Sequence, residues 1–190
     1  MRSLCMLLLC CCGVVFSGCQ EANRGIEVIV ADGTQFPAEM AGKWVVEGKN
    51  NFWAMTFEAD GTISWCALGM GGFEVVPGKV SRFPTRYGGK GIFKPGKWTV
   101  SYDPSLRELS VEVVIEHFHM DLKPGQSLEG STTDFLSGPV SEDYTVWEAD
   151  WFSKEKLVGF TPERKEVPET KELQFRKKVI FRKEQQTTER

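Results

Sequence analysis

Apolar and polar residues alternate along most of the chain after residue 25, and this period of two is typical of strands. The clearest stretch begins at Trp53, where three large apolar residues alternate with smaller or polar ones as far as Glu58. No segment after residue 31 combines a helical period with capping residues. Short strands separated by turn signals predict an all-β fold. The other strands predicted from single runs cover residues 26–30, 145–152, 157–160 and 173–183.

The alternation on either side of Ala59-Asp60-Gly61 predicts a hairpin. A two-residue loop would mix apolar and polar side chains on each face of the pair. A three-residue loop instead pairs Phe57 with Ile63 and Met55 with Trp65, which keeps one face apolar. Loops of this length combine a type I turn with a left-handed glycine. The pattern therefore predicts a positive φ at the loop glycine.

A second hairpin is predicted between residues 98 and 115. Its two strands are joined by the four-residue loop Asp103-Pro104-Ser105-Leu106, in which Asp followed by Pro suits a type I turn. This loop length keeps all the apolar residues on one face. That face consists of Trp98, Val100, Tyr102, Leu109, Val111, Val113 and Ile115.

Two segments are predicted to be loops. Residues 161–172 are charged and contain two prolines, and residues 79–97 are rich in Gly and Pro, which indicates a long loop or an irregular strand. The second segment is basic and carries interleaved aromatic residues, a composition that binds polyanions in some proteins but is more typical of a solvated loop. Its basic residues are Lys79, Arg82, Arg86, Lys90, Lys94 and Lys97.

Another strand is predicted to open at Gly42-Lys43-Trp44, which precedes the Trp53–Trp65 hairpin. This order resembles the start of a lipocalin, and the resemblance implies a small barrel whose base is closed by Trp44. The same residues also fit a generic antiparallel sheet in which Trp44 belongs to the core. The predicted fold is thus a single all-β domain over residues 26–190. Its architecture is an antiparallel meander that forms a small lipocalin-like barrel or a β-sandwich.

The N-terminal segment has the features of an export signal. Arg2 precedes an uninterrupted apolar run of 13 residues, 4–16, which as a helix spans about 20 Å and is too short to cross a bilayer. The run ends in Phe16-Ser17-Gly18-Cys19, which resembles the lipobox of bacterial lipoproteins. The resemblance implies a signal peptide over 1–18, a lipid anchor on Cys19 and a tether over 19–25. An ordinary secretory signal is the alternative.

Anchoring at Cys19 would place the domain in the cell envelope, outside the cytoplasm and attached to a membrane. In a host with two membranes, Gln20 resembles the residue that directs lipoproteins to the outer membrane. The net charge of −3 gives no reason to expect a nucleic-acid partner.

The sequence contains no recognisable catalytic motif. It lacks a Gly-x-Ser-x-Gly elbow. Five of the six cysteines lie in the first 19 residues, so Cys66 has no internal disulfide partner in the mature domain. Strand parity places Cys66 on the polar face across from Ala54, without a neighbouring activating group. We therefore predict no catalytic residue and no cofactor.

His117-Phe118-His119-Met120-Asp121 is the segment with the strongest metal-binding character. Alternate strand residues share a face, and two histidines with a carboxylate suit zinc or non-haem iron. However, the apolar parity of this strand switches near Glu116, as a β-bulge would cause. The switch turns both histidines outward at a strand end, so the sequence predicts that these residues do not form a metal site.

Three hypotheses for function follow. The first is a lipid-anchored, non-catalytic β domain that binds an apolar small molecule or an envelope component, with tryptophans inside a barrel. The alternative is a carbohydrate-binding or carbohydrate-cleaving β-sandwich, with tryptophans exposed in a row. The third, a small metalloenzyme around His117 and His119, is disfavoured by the outward histidines. The positions of the tryptophans distinguish the first two.

Overall fold

The structure is a computed structural model that describes residues 25–48, 52–69, 71–86, 88–160 and 171–185. Within these ranges the chain is all-β, as predicted, and the only helical element is the single 3-10 turn Ala38–Met40. The strands are β1 (Ile26–Val30), β2 (Gly42–Val46), β3 (Ala54–Phe57), β4 (Ile63–Ala67), β5 (Glu74–Val75), β6 (Ser81–Pro84), β7 (Lys90–Pro95), β8 (Trp98–Asp103), β9 (Glu108–Lys123), β10 (Gln126–Pro139), β11 (Val146–Phe160) and β12 (Lys171–Lys183).

All twelve strands belong to one sheet that curls into a half-barrel, consistent with a small barrel. Ten strands follow one another in the order β1-β8-β9-β10-β11-β12-β2-β3-β4-β5. Strand β9 is long enough to pair with β8 along its first half and with β7 along its second half, and β6 lies beyond β7. Strand β2 lies between β3 and β12, so the end of the chain returns to the first hairpin. The meander is antiparallel, as predicted, except that β1 runs parallel to β8.

The concave face of the sheet forms the core. Trp44 is fully buried on β2, and its indole N–H donates to the carbonyl of Met40 at 2.9 Å. Phe36 bridges the two ends of the curl, because its ring lies 6.0 Å from Phe57 and 6.0 Å from Tyr102. Aromatic packing therefore brings together parts of the sheet that hydrogen bonds do not join.

The first hairpin has the predicted loop. Gly61 has a φ of +83°, and Phe57 pairs with Ile63. The predicted pairing of Met55 with Trp65 was wrong, because a bulge at Ser64 shifts the register by one residue. A one-residue shift exchanges the two faces of a strand. Trp65 consequently lies on the convex face.

The second hairpin confirms the predicted apolar face, since Val100 pairs with Val111 and Tyr102 with Leu109. The loop covers residues 104–107 and not the predicted 103–106, because Asp103 belongs to the strand and pairs with Glu108. The carboxylate of Asp103 accepts hydrogen bonds from the backbone N–H and the hydroxyl of Ser105, which stabilises the turn.

Several predicted boundaries change. Residues 79–97, predicted as a long loop or an irregular strand, contain β6 and β7, which pair as a hairpin, with Pro84 and Pro95 at strand ends where a missing N–H is tolerated. The two strands predicted at 145–152 and 157–160 are one strand, β11. Residues 171 and 172 begin β12, whereas 161–170 lie outside the described residues.

Candidate functional site

A buried carboxylate lies on the concave face near the middle of β10. Asp134 is 5% exposed and sits opposite Ser153 of β11. Its two oxygens accept hydrogen bonds from the indole N–H of Trp151 at 2.8 Å and from the hydroxyl of Thr132 at 3.0 Å. This donor set satisfies a buried acidic group that would otherwise be costly.

A second carboxyl group, that of Glu155, lies on the same face of β11. Glu155 pairs with Thr132 across the sheet, which places it next to Asp134. Burial raises the pKa of Asp134, and hydrogen bonds from Ser153, Trp151 and Thr132 oppose the increase. Burial also raises the pKa of Glu155, and the negative charge of Asp134 adds to this effect. Among the described residues, no lysine or arginine lowers either pKa.

Aromatic rings surround the two carboxyl groups. Trp151 packs edge-on against Trp53 at 5.5 Å and against Phe175 of β12 at 4.6 Å. Phe175 is 37% exposed, so the site is accessible to solvent at this ring. We call the group formed by Asp134, Glu155, Trp53, Trp151 and Phe175 the acidic–aromatic site.

One buried polar atom of this site has no hydrogen-bond partner among the described residues. The indole N–H of Trp53 is buried, and no acceptor for it occurs in the described part of the chain. It lies against Gly69, where the Cβ atom of any larger residue would overlap the indole nitrogen. A buried donor without an acceptor is rare in folded proteins and often marks a position that a ligand or water completes.

A second cluster of side chains on the sheet is purely apolar. Phe83 stacks on Phe73 at 4.7 Å and on Phe93 at 5.4 Å, and Phe93 in turn lies 5.8 Å from Phe118. These rings join β6, β7 and β9 to the segment before β5. The sheet thus carries both a polar site and an aromatic cluster, and sites for small organic ligands combine these two kinds of groups.

Cys66 was predicted on the polar face across from Ala54, and this was wrong. The bulge at Ser64 turns Cys66 into the core, where it pairs with Met55 and is fully buried. Burial, together with the negative charge of Asp134, raises the pKa of the thiol well above its usual value. A neutral, buried thiol is a poor nucleophile.

The tryptophans point mainly inward. Trp44, Trp53, Trp98 and Trp147 are at most 1% exposed, and Trp151 faces Asp134. Trp65 alone lies on the convex face, where the ammonium group of Lys43 is 5.8 Å from its ring. The six tryptophans therefore do not form the exposed row that would support a carbohydrate platform.

The predicted bulge in the histidine segment is confirmed. Glu116 interrupts the register of β9 with β7, Glu116 and His117 interrupt its register with β10, and Phe118 beyond them is fully buried. His117 and His119 consequently lie on the convex face, and His117 is exposed. The absence of a metal site at His117, His119 and Asp121 remains a prediction.

His119 has partners that the strand pattern did not predict. Its Nδ1 is 2.9 Å from Glu129, and its Nε2 is 3.0 Å from Asp121. The two carboxylates bind opposite sides of the ring, so these groups do not converge on a common point as metal ligands would. The free oxygen of Asp121 accepts the backbone N–H of Lys90 at 2.7 Å, which ties β9 to β7.

We call the contacts of His119 with Glu129 and Asp121 the His119 clamp, and we expect this clamp to make the stability of the fold depend on pH. The hydrogen bond to Glu129, and then that to Asp121, raise the pKa of His119 above its ordinary 6.5, against an opposing effect of burial. A raised folded-state pKa gives stability that is complete below pH 6.5 and is lost as the pH rises through the folded value. The difference in urea midpoint between the wild type and His119→Ala should therefore shrink as the pH rises above 6.5.

His117→Ala is the matched control for this prediction, because His117 lies two residues away on the same strand and is exposed. Its midpoint should follow the wild type at every pH. A wild-type to His119→Ala difference that stays constant with pH, or that His117→Ala reproduces, would contradict the clamp.

Cys19, the predicted lipid-attachment residue, lies outside the described residues. In the described part of the chain, no helix is long and apolar enough to cross a membrane. No protein-family model, curated protein or solved structure matches the chain.

Proposed function

We propose that this protein is a lipid-anchored lipoprotein of the cell envelope whose β domain binds a small, largely apolar molecule without chemically changing it. The acidic–aromatic site is the observation that carries the proposal. It combines apolar rings with hydrogen-bonding groups, and its Phe175 ring is exposed to solvent. The lipobox-like sequence ending at Cys19 supports the anchored location.

The chemistry of the site favours a ligand with a positively charged end. The raised pKa values of Asp134 and Glu155 mean that burial makes their ionised forms unfavourable. A bound cation would stabilise the ionised forms. The neighbouring faces of Trp151 and Phe175 also attract cations when water is excluded. An apolar tail would then pack against the Phe73, Phe83 and Phe93 cluster.

A titration with three probes of equal chain length tests this proposal. Dodecyltrimethylammonium and dodecanoate are added below their micelle concentrations and dodecanol below its solubility limit, and tryptophan fluorescence reports binding. We expect the cation to bind about tenfold more tightly than the alcohol, a difference of about 1.4 kcal/mol, and the anion to bind most weakly. Equal affinity for all three would contradict the cationic preference, and no binding of any probe would contradict the proposed site.

Two variants locate the binding. Asp134→Asn keeps the size of the side chain and should weaken binding of the cation about tenfold. Asp150→Asn is the control, because Asp150 is on the same pair of strands but on the convex face. An equal loss in both variants would mean that net charge, rather than the acidic–aromatic site, governs binding.

A further inference from the structure

The chain enters the domain beside the β6–β7 hairpin. The carbonyl of Gly25 accepts the backbone N–H of Trp98 at 2.6 Å, which fixes the start of β1 next to β8. A Cβ atom on Gly25 would lie 2.9 Å from the backbone nitrogen of Gly78. Gly25, the first residue that the structure describes, therefore lies in contact with the residues that lead into β6.

The length of the preceding segment limits its reach. The inference rests on the proposed lipid anchor at Cys19, which is separated from Gly25 by six residue steps. A fully extended chain of that length spans at most about 20 Å. A lipid on Cys19 would keep Gly78 and its neighbours within that distance of the bilayer surface.

The surface at this point is basic and partly apolar. Lys79, Arg82 and Arg86 are exposed, and Val80 between them is 45% exposed. Arg82 projects to the convex side because Phe83 packs inward against Phe93. We call these four residues, Lys79, Val80, Arg82 and Arg86, the basic edge.

Two other lysines of the segment are already neutralised. Lys94 pairs with Glu116 at 2.8 Å, and Lys97 pairs with Glu27 at 2.5 Å. Within the described residues, β6 pairs only with β7, so the outer side of the hairpin is open. The cations of the basic edge lie on this open side and at the hairpin tip, away from both ion pairs.

We propose that the basic edge docks on anionic phospholipid headgroups, with Val80 at the interface, and so orients the anchored domain on the membrane. Cations near an anionic bilayer are attracted to its negative surface potential, and each strengthens binding about fivefold. An exposed apolar side chain flanked by cations adds burial at the headgroup boundary. Lys79, the first cation of the basic edge, follows Gly78, which contacts Gly25 where the tether joins the domain, so the two contacts reinforce each other.

Vesicle sedimentation tests the docking separately from lipidation. The full chain carrying Cys19→Ser, which removes the acylated thiol, is mixed with vesicles of phosphatidylcholine alone or with about one third phosphatidylglycerol. Any partitioning by the apolar N-terminal run contributes to both vesicle types, so the ratio of the two affinities is the readout. We expect a preference of at least about tenfold for the anionic vesicles at low salt, decreasing as salt is added.

The charge-reversal pair Lys79→Glu, Arg82→Glu should remove most of this preference. The matched control is Arg176→Glu, Lys178→Glu, which changes the net charge equally on exposed positions of β12, four strands from β7. The control should keep the preference. No preference in the parent chain, or an equal loss in the control, would overturn the basic edge as the docking surface, whatever modification Cys19 carries in the cell.

Discussion

Replacement of Gly61 by valine should lower the free energy of unfolding by about 3 kcal/mol or more. Two costs combine at this position. A β-branched residue resists the φ of +83°, at about 1–3 kcal/mol. Its Cβ would also lie 2.7 Å from the ring of Phe36 and 2.9 Å from Val28, and crowding of this kind costs about 1–3 kcal/mol.

Gly33→Val separates the two costs. Gly33 has a similar φ of +72°, but nothing lies within 4 Å of the Cβ position. We expect Gly33→Val to lower the free energy of unfolding only by the conformational cost, about 1–2 kcal/mol. Equal losses in the two variants, measured by urea unfolding, would contradict the close packing of Phe36 against the hairpin, on which closure of the curl depends.

Replacement of Asp134 by alanine should cost about 3 kcal/mol. The indole N–H of Trp151 and the hydroxyl of Thr132 would lose their acceptor in a buried setting, and each such group costs about 1–3 kcal/mol. Asp134→Asn keeps one acceptor oxygen and should cost about 1 kcal/mol. Asp150→Ala, on the convex face, should have little effect.

The carboxyl group of Asp134 should also affect how the free energy of unfolding depends on pH. Burial raises the folded-state pKa of Asp134, so its contribution to stability is complete below the ordinary value of 3.8 and is lost as the pH rises through the folded value. The advantage of the wild type over Asp134→Asn should therefore decrease from about pH 4 upward. An advantage that increases over this range would show that the ionised form is the favoured one in the folded protein.

Side-chain parity predicted the fold wherever the buried face is apolar. The strands around Val100 and Val111 and the bulge at Glu116 follow from alternation alone. The bulge at Ser64 did not, because both registers of that hairpin bury an acceptable set of residues, and the choice depends on packing against the rest of the sheet.

The acidic–aromatic site was missed for a related reason. Strand β10 places Thr132, Asp134 and Leu136 on the concave face, so polar residues occupy positions where a strand pattern requires apolar ones. Asp134 is tolerated there only because Trp151 and Thr132 donate to it, and Trp151 is 17 residues away in the chain. Long-range hydrogen bonds of this kind leave no local signal in a sequence. The clamp around His119 depends similarly on Glu129 from the next strand.

The proposed function requires that this domain work outside the cytoplasm, held to a membrane through Cys19. The decisive test is intact-mass and peptide mass spectrometry of the full chain, expressed in a bacterium and extracted from the membrane fraction with detergent. We expect a mature chain that begins at Cys19 and carries a diacylglyceryl group on its thiol, and Cys19→Ser should abolish this product. A mature chain with an unmodified N-terminus at any other residue would contradict the anchored location.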